Sequence, residues 1–421
     1  MGSAMARRTV AVLALLAASS ACAAQAQDAG QAVALVGATV IDPGVDQPIR
    51  NATVLVRSGK IQSVTAGGGT VPGDARVIDL GGRYLVPGLI DAHVHIGNFA
   101  AARRALESGV TTARSMGVGF ADVGLRKLIA KGAIEGPELL AAGYHVRPQM
   151  QPQFFIDEPD MSDLMKSGVQ GEEAVRRVAR TMIAHGVDFI KTTATERAGL
   201  PNTDPRKPLY NERELAALVE EGARAGIPVA AHAHGDEGAR AAVEAGVRSI
   251  EHGTYLSDET LSLMMKKGTY LVPTIAVVSD LTQPGGDYDN AVLNIRGRHM
   301  LPRVREMAGN AHRMGVKMVA ATDTGYGPRS VLRLSHELIE LVRIGMTPME
   351  AIRSATTVAA QLLGVDDHTG RIAPGMDADL LVLERSPLDD IGTYQDVLFV
   401  MTDGRIAVDR LEWKQAPPKT E

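Results

Sequence analysis

Two histidines two positions apart, His93 and His95 in the run VPGLIDAHVH (residues 86–95), are the first groups whose types and spacing can do chemistry. Side chains of a strand alternate between its faces, so an i, i+2 pair puts both imidazoles on one side. Neutral imidazole is the commonest side-chain metal ligand, and one strand end carrying both rings offers two corners of a metal site. Further along stand Lys191 in FIKTTAT, His232 and His234 in AAHAHG, His252 in SIEHG and Asp323 in AATDT. Two cations ~3.5–4 Å apart acidify a shared water and polarise a carbonyl. Imidazole and oxygen ligands suit zinc or its neighbours.

The elements that must position these groups follow from periodicity. Between residue 87 and about residue 364, apolar runs alternate with amphipathic stretches, the pattern of parallel α/β units. Strands are expected at residues 89–95, 111–116, 138–146, 189–194, 229–234, 249–252, 270–277 and 317–323. Eight such runs predict an α/β fold of the (β/α)8 TIM-barrel type, in which active groups sit at the C-terminal ends of strands. His93 and His95 close the first run, Lys191 and His232 lie in the fourth and fifth, His252 closes the sixth and Asp323 the eighth. Glycines in ESGV, EAGV and RMGV fall where helices should stop.

Outside this region the pattern changes. Residues 32–84 read as short alternating runs separated by turn signals such as Ser58-Gly59-Lys60, and a matching set follows residue 370. The expectation is a small β-sandwich built from both termini, residues 27–86 and 370–421, around a catalytic barrel of residues 87–369.

The chain has 421 residues and a net charge of −5, which gives no electrostatic support for nucleic-acid binding. No internal apolar run is long enough for a membrane span. Arg7 and Arg8, the apolar run from Val10 to Ala18 and the small residues around Ala23 and Ala26 predict a signal peptide over residues 1–26, and so export to a periplasm or beyond. A lipoprotein at Cys22 and a twin-arginine signal fit the pattern less well. Cys22 is the only cysteine, so cleavage leaves neither a disulfide nor a thiolate ligand.

The five ordered motifs VPGLIDAHVH, FIKTTAT, AAHAHG, SIEHG and AATDT resemble the amidohydrolase superfamily. Within it the chain is similar to the imidazolonepropionase-related branch, with its metal-dependent prolidases, carboxydipeptidases and ochratoxin-hydrolysing members. The resemblance implies two divalent metal ions, zinc by preference: His93 and His95 on the more buried ion, His232 and His252 on the more exposed one. It implies a carbamate on Lys191 that bridges them. Asp323 would ligate the first ion, act as general base on the bridging hydroxide and deliver the proton to the leaving amine. His234 competes with His232 for the ligand role, and the family pattern favours His232. His145, Tyr210, His234 and Arg329 are candidates for substrate contacts; each has a bland alternative, such as a helix-start aromatic for Tyr210 or a solvated loop residue for Arg329.

Ser115 stands where many relatives have aspartate, and the loops 144–166 and 195–209 match no pattern. Such loops should set substrate choice, with Met150, Phe154, Phe155, Met161 and Met165 offering an apolar wall. The expected reaction is hydrolysis of the amide bond in N-acyl amino acids or dipeptides with a free C-terminal carboxylate, an ochratoxin-type aryl amide of phenylalanine being one member. The rivals are hydrolysis of a cyclic amide and a metal-free scaffold. Relatives of this branch assemble as homo-oligomers, often octamers, so more than a monomer is expected.

Overall fold

The computed structural model describes residues 31–411, and the expected signal peptide lies outside them. The described chain is a mixed α/β fold. Its two ends share one eight-stranded sheet: β1 (Val33–Val40), β2 (Ile49–Arg57), β3 (Lys60–Thr65), β4 (Arg76–Asp79) and β5 (Tyr84–Pro87) come from the N-terminal side. The C-terminal side adds the runs Leu380–Leu383, Phe399–Thr402 and Arg405–Asp409. The two sets join where β5 pairs antiparallel with Leu380–Leu383, Tyr84 opposite Leu383 and Pro87 opposite Leu380.

Turn chemistry explains the hairpins. Ser58 and Gly59 link β2 to β3, and Asp403 and Gly404 link the last two runs, all four with positive φ. That is the backbone of a two-residue turn whose twist matches the strands it joins. The two turns touch: a Cβ on Gly59 would stand 3.1 Å from the Asp403 carbonyl oxygen. Leu35, Val54, Ile61, Leu80, Leu85, Leu380, Val382 and Phe399 form a separate apolar core here, drawn from both ends of the chain.

The middle of the chain supplies parallel strands. β6 (Leu89–Val94), β7 (Val110–Ser115) and β8 (Glu138–Ala141) form one set, and β9 (Ile190–Thr193), β10 (Val229–Gly235), β11 (Ser249–Tyr255) and β12 (Tyr270–Val272) another. Isolated parallel bridges connect Val146 to Thr192, Leu271 to Met318, and Thr324 back to Val94 on β6. The helices between strands end at the expected glycines: Glu212–Ala225 opens with a capping box of Asn211 and Glu214 and stops at left-handed Gly226.

Two expected strands stop well short of their expected ends and a third does not form among the described residues. The run 138–146 is strand only to Ala141, because Gly143 turns with φ +71° and the Asp122 carboxylate accepts its N–H. The run 270–277 stops at Val272; Thr274 is left-handed, and both oxygens of buried Glu337 accept the N–H groups of Ile275 and Ala276 as the helix Ile275–Asp280 begins. The run 317–323 forms no regular strand among the described residues. There the Asp91 side chain accepts Thr322 N–H at 3.0 Å and Thr322 O–H at 2.7 Å, replacing part of the ladder with side-chain bonds.

Candidate metal centre

The end of β6 sets His93 and His95 on one side, with ring centroids 5.6 Å apart. Their neighbours fix which nitrogen faces inward. His93 Nδ1 lies 2.9 Å from Glu251 Oε2, while the other Glu251 oxygen accepts from Arg114 at 2.9 Å and Ser249 at 2.5 Å. His252 Nδ1 meets Thr274 Oγ1 at 2.7 Å and His234 Nδ1 meets Thr254 Oγ1 at 2.9 Å. An imidazole that donates Nδ1–H keeps its Nε2 lone pair for a metal, and such partners orient and tune the ligand.

Asp323 receives the rings of His93 on β6 and His95 just past its end. His95 Nε2 stands 3.1 Å and His93 Nε2 3.4 Å from Asp323 Oδ1. Burial alone would raise this carboxyl, but His93 and the His95 hydrogen bond outweigh it and hold Asp323 well below the usual carboxylate range. Burial, reinforced by nearby Lys191, lowers His93 to about 4. Burial likewise holds His145, His232 and His252 well below the ordinary histidine value. These rings are neutral at pH 7, the form that binds metals.

Lys191 on β9 is 1% exposed, and its Nζ has no hydrogen-bond partner among the described residues. Burial lowers it to about 8, although Glu251 and Asp323 pull the other way. An orphaned amine is costly to bury, and here it sits beside a histidine cluster. Ligand-capable atoms fall into two groups, each within 4.8 Å: His232, His234 and His252, and His93, His252 and Asp323.

The backbone is strained at the same place. Of the seven non-glycine residues with positive φ among the described residues, His252, Thr274, Asp323 and Tyr326 lie at this end of the strands. Such conformations cost about 1–3 kcal/mol each and cluster at functional sites.

The histidines, Lys191 and Asp323 line one cleft. His145 and His234 line it as well. Tyr210 and Arg329 do not. Tyr210 is buried elsewhere and its hydroxyl donates to the Val169 carbonyl at 2.9 Å; Arg329 is exposed on its loop. The expected apolar wall is also displaced. Met150, Phe154 and Phe155 pack into the main core, whereas Val277, Val278 and Leu281 line the cleft.

Four residues of the site were not singled out from sequence. Glu251 sits beside His252 in SIEHG, Arg114 lies in TTARSMG, Arg197 reaches the cleft from the loop 195–209, and Tyr288 donates its hydroxyl to the Asp323 carbonyl at 3.0 Å. The signal for Glu251 was its place in the motif beside His252; both residues meet His93, because His252 is left-handed and breaks the alternation of the strand.

Comparison with known proteins places this geometry. The amidohydrolase family model matches residues 84–407. Ochratoxinase from Aspergillus niger is 28% identical over 407 residues, covering 86% of this chain and 84% of its own length. A crystal structure of a Xaa-Pro dipeptidase with bound methionine superposes with a TM-score of 0.80 at 28% identity, covering 89% of this chain and 99% of the other. Imidazolonepropionase from Salinispora arenicola is 25% identical over 380 residues, 83% of this chain and 91% of its own. With the family model spanning both the β6 histidines and Asp323, the chain belongs to the amidohydrolase family and is a hydrolase acting on amide bonds.

Proposed function

We propose that the protein is a binuclear metal amidohydrolase that releases an amino acid from N-acyl amino acids or dipeptides with a free C-terminal carboxylate. The observation that carries this reading is the unpartnered, buried Lys191 amine amid neutral histidines and an anionic Asp323. The same reading takes the parallel strands as a closed (β/α)8 barrel over residues 87–369 and the shared sheet as a composite β-sandwich of residues 27–86 and 370–421. The bridges at Val146, Leu271 and Thr324 support the first, and the separate core of the terminal sheet supports the second.

The donor set fits two divalent ions, with zinc suited to its nitrogen and oxygen ligands. His93, His95 and Asp323 would hold one ion and His232 and His252 the other. Lys191 would lie between them as a carbamate, formed when its neutral amine adds to carbon dioxide and loses a proton. When bound, the ions supply an acidified water and polarise the scissile carbonyl. Asp323, kept anionic by His93 and His95, accepts a proton at a carboxylate oxygen and passes it to the leaving nitrogen. Arg197 lines the same cleft, which Arg329 does not, and would pair with the substrate carboxylate. Val277, Val278 and Leu281 would take a bulky acyl group, which keeps an ochratoxin-type aryl amide within the class. Export and assembly into a homo-oligomer complete the reading.

The test is release of free amino acid from a panel of N-acyl amino acids, dipeptides, ochratoxin A and a cyclic amide, using zinc-loaded protein. We expect turnover on the acyl amino acid side of the panel, and at least ~10³-fold loss of kcat in Asp323→Asn. Turnover of the cyclic amide alone would move the assignment to the imidazolonepropionase-like reaction.

A further inference from the structure

A second cleft, of about 640 Å³, opens where the helix Phe99–Glu107 meets the start of the helix Leu334–Arg343 and the C-terminal segment. Arg104, Arg333 and Arg410 line it. Among the described residues neither Arg104 nor Arg333 forms an ion pair. Backbone carbonyls hold them instead: Arg104 Nε donates to Tyr326 at 2.6 Å, and Arg333 donates to Ser330 at 2.9 Å and Leu332 at 2.7 Å. These bonds fix the guanidinium groups without neutralising them. Glu107 is the one carboxylate on the lining, and it accepts from Arg103 at 3.1 Å.

Arg333 is also the N-cap of a ten-residue helix, where the Arg333 carbonyl accepts the His336 N–H at 2.9 Å and the preceding N–H groups, of Leu334 and Ser335, come before any intrahelical partner. An independent observation points to a ligand. Ser335 and Tyr394 line the same cleft, each 2% exposed, and neither hydroxyl has a hydrogen-bond partner among the described residues. Leaving a buried hydroxyl unsatisfied costs about 1–3 kcal/mol, and both groups can donate to an oxygen.

We propose that this cleft, separate from the metal centre, binds a small oxyanion of the phosphate type. Guanidinium groups match a tetrahedral oxyanion by paired hydrogen bonds, and its charge suits a helix start. The hydroxyls of Ser335 and Tyr394 would supply the remaining donors.

The test is calorimetric titration of inorganic phosphate into the full-length, metal-loaded protein, beside Arg333→Gln and Ser335→Ala. Any phosphate taken up at the metals is common to all three and cancels in the comparison. We expect at least a tenfold weaker phosphate affinity in Arg333→Gln and a smaller loss in Ser335→Ala, with phosphate-free amide hydrolysis unchanged in both. Sulfate should compete and acetate should not, which separates a phosphate-type ligand from a carboxylate. Should Arg333→Gln fail to fold, Ser335→Ala alone decides. Phosphate isotherms unchanged by the substitutions, or no saturable phosphate binding to the wild-type protein, would overturn the proposal.

Discussion

Inside the terminal sheet, Leu35, Val54, Leu380 and Phe399 are removed from water; at the metal centre, Lys191, Glu251, His93 and Arg114 are removed just as completely. In the first region burial is the stabilising force itself, since each apolar side chain gains about 1.5–3 kcal/mol by leaving water. In the second, burial opposes folding and instead sets protonation states. It pushes the histidines toward neutrality and leaves the Lys191 amine without a partner. A substitution in one region should therefore read out as stability, and in the other as metal affinity and turnover.

The largest effect expected on that contrast is Phe399→Ala, which should lose about 3–5 kcal/mol of unfolding free energy. Denaturant titration measures it, and turnover per folded molecule should not change. A change in metal affinity would break the contrast by showing that the two cores are coupled. Next comes Glu251→Gln. Glu251 is hydrogen-bonded to His93 and Arg114; on the proposed binuclear reading, we expect a 10–100-fold weaker metal affinity by equilibrium dialysis. If the melting temperature fell while metal content held, Glu251 would belong with the structural core.

Asp122→Asn sharpens the comparison at the smallest scale. Asp122 is a fully buried carboxyl that does not line the histidine cleft, with Oδ1 accepting Gly143 N–H and Oδ2 unpartnered among the described residues. Burial pushes it up to about 7 despite the bond from Gly143. Because its folded value lies above its unfolded value of about 4, its stability contribution is complete below pH ~4 and lost as pH rises through about 7. The wild-type melting temperature should drop between pH 5 and pH 8, and the asparagine variant should flatten that drop by about 2 °C. Equal profiles would remove Asp122 as the cause.

The parts of the molecule legible from sequence are those governed by local periodicity and short spacing. The i, i+2 histidines, the glycine helix stops and the two-residue turn at Ser58-Gly59 each depend on a few neighbouring residues, and the structure has them where the pattern put them. What was not legible depends on long-range side-chain bonds. The run 317–323 alternates like a strand, but Asp91, far away in sequence, takes its Thr322 N–H. Glu337 similarly starts a helix at Ile275 where the apolar run promised more strand. Arg197 and Arg329 look alike as loop arginines; only the fold brings Arg197 to the cleft. Tyr210 likewise turns to the Val169 carbonyl, 41 residues earlier in the chain.

The shared sheet also dictates an order of events in synthesis. Arg83 on the N-terminal side pairs with Glu384, 301 residues later, beside the ladder between β5 and Leu380–Leu383. Until the ribosome has delivered that late run, β5 has an open edge and the apolar core shared with β1 and β2 lacks Leu380, Val382 and Phe399. Non-local pairing of this kind is slow to form, and an unpaired edge is a template for aggregation. Completion of the sheet must therefore wait until residues 380–409 are available. A chain that stops short of residue 380 would keep the histidine cluster, Lys191 and Asp323 but leave the β5 edge open to pairing with another copy.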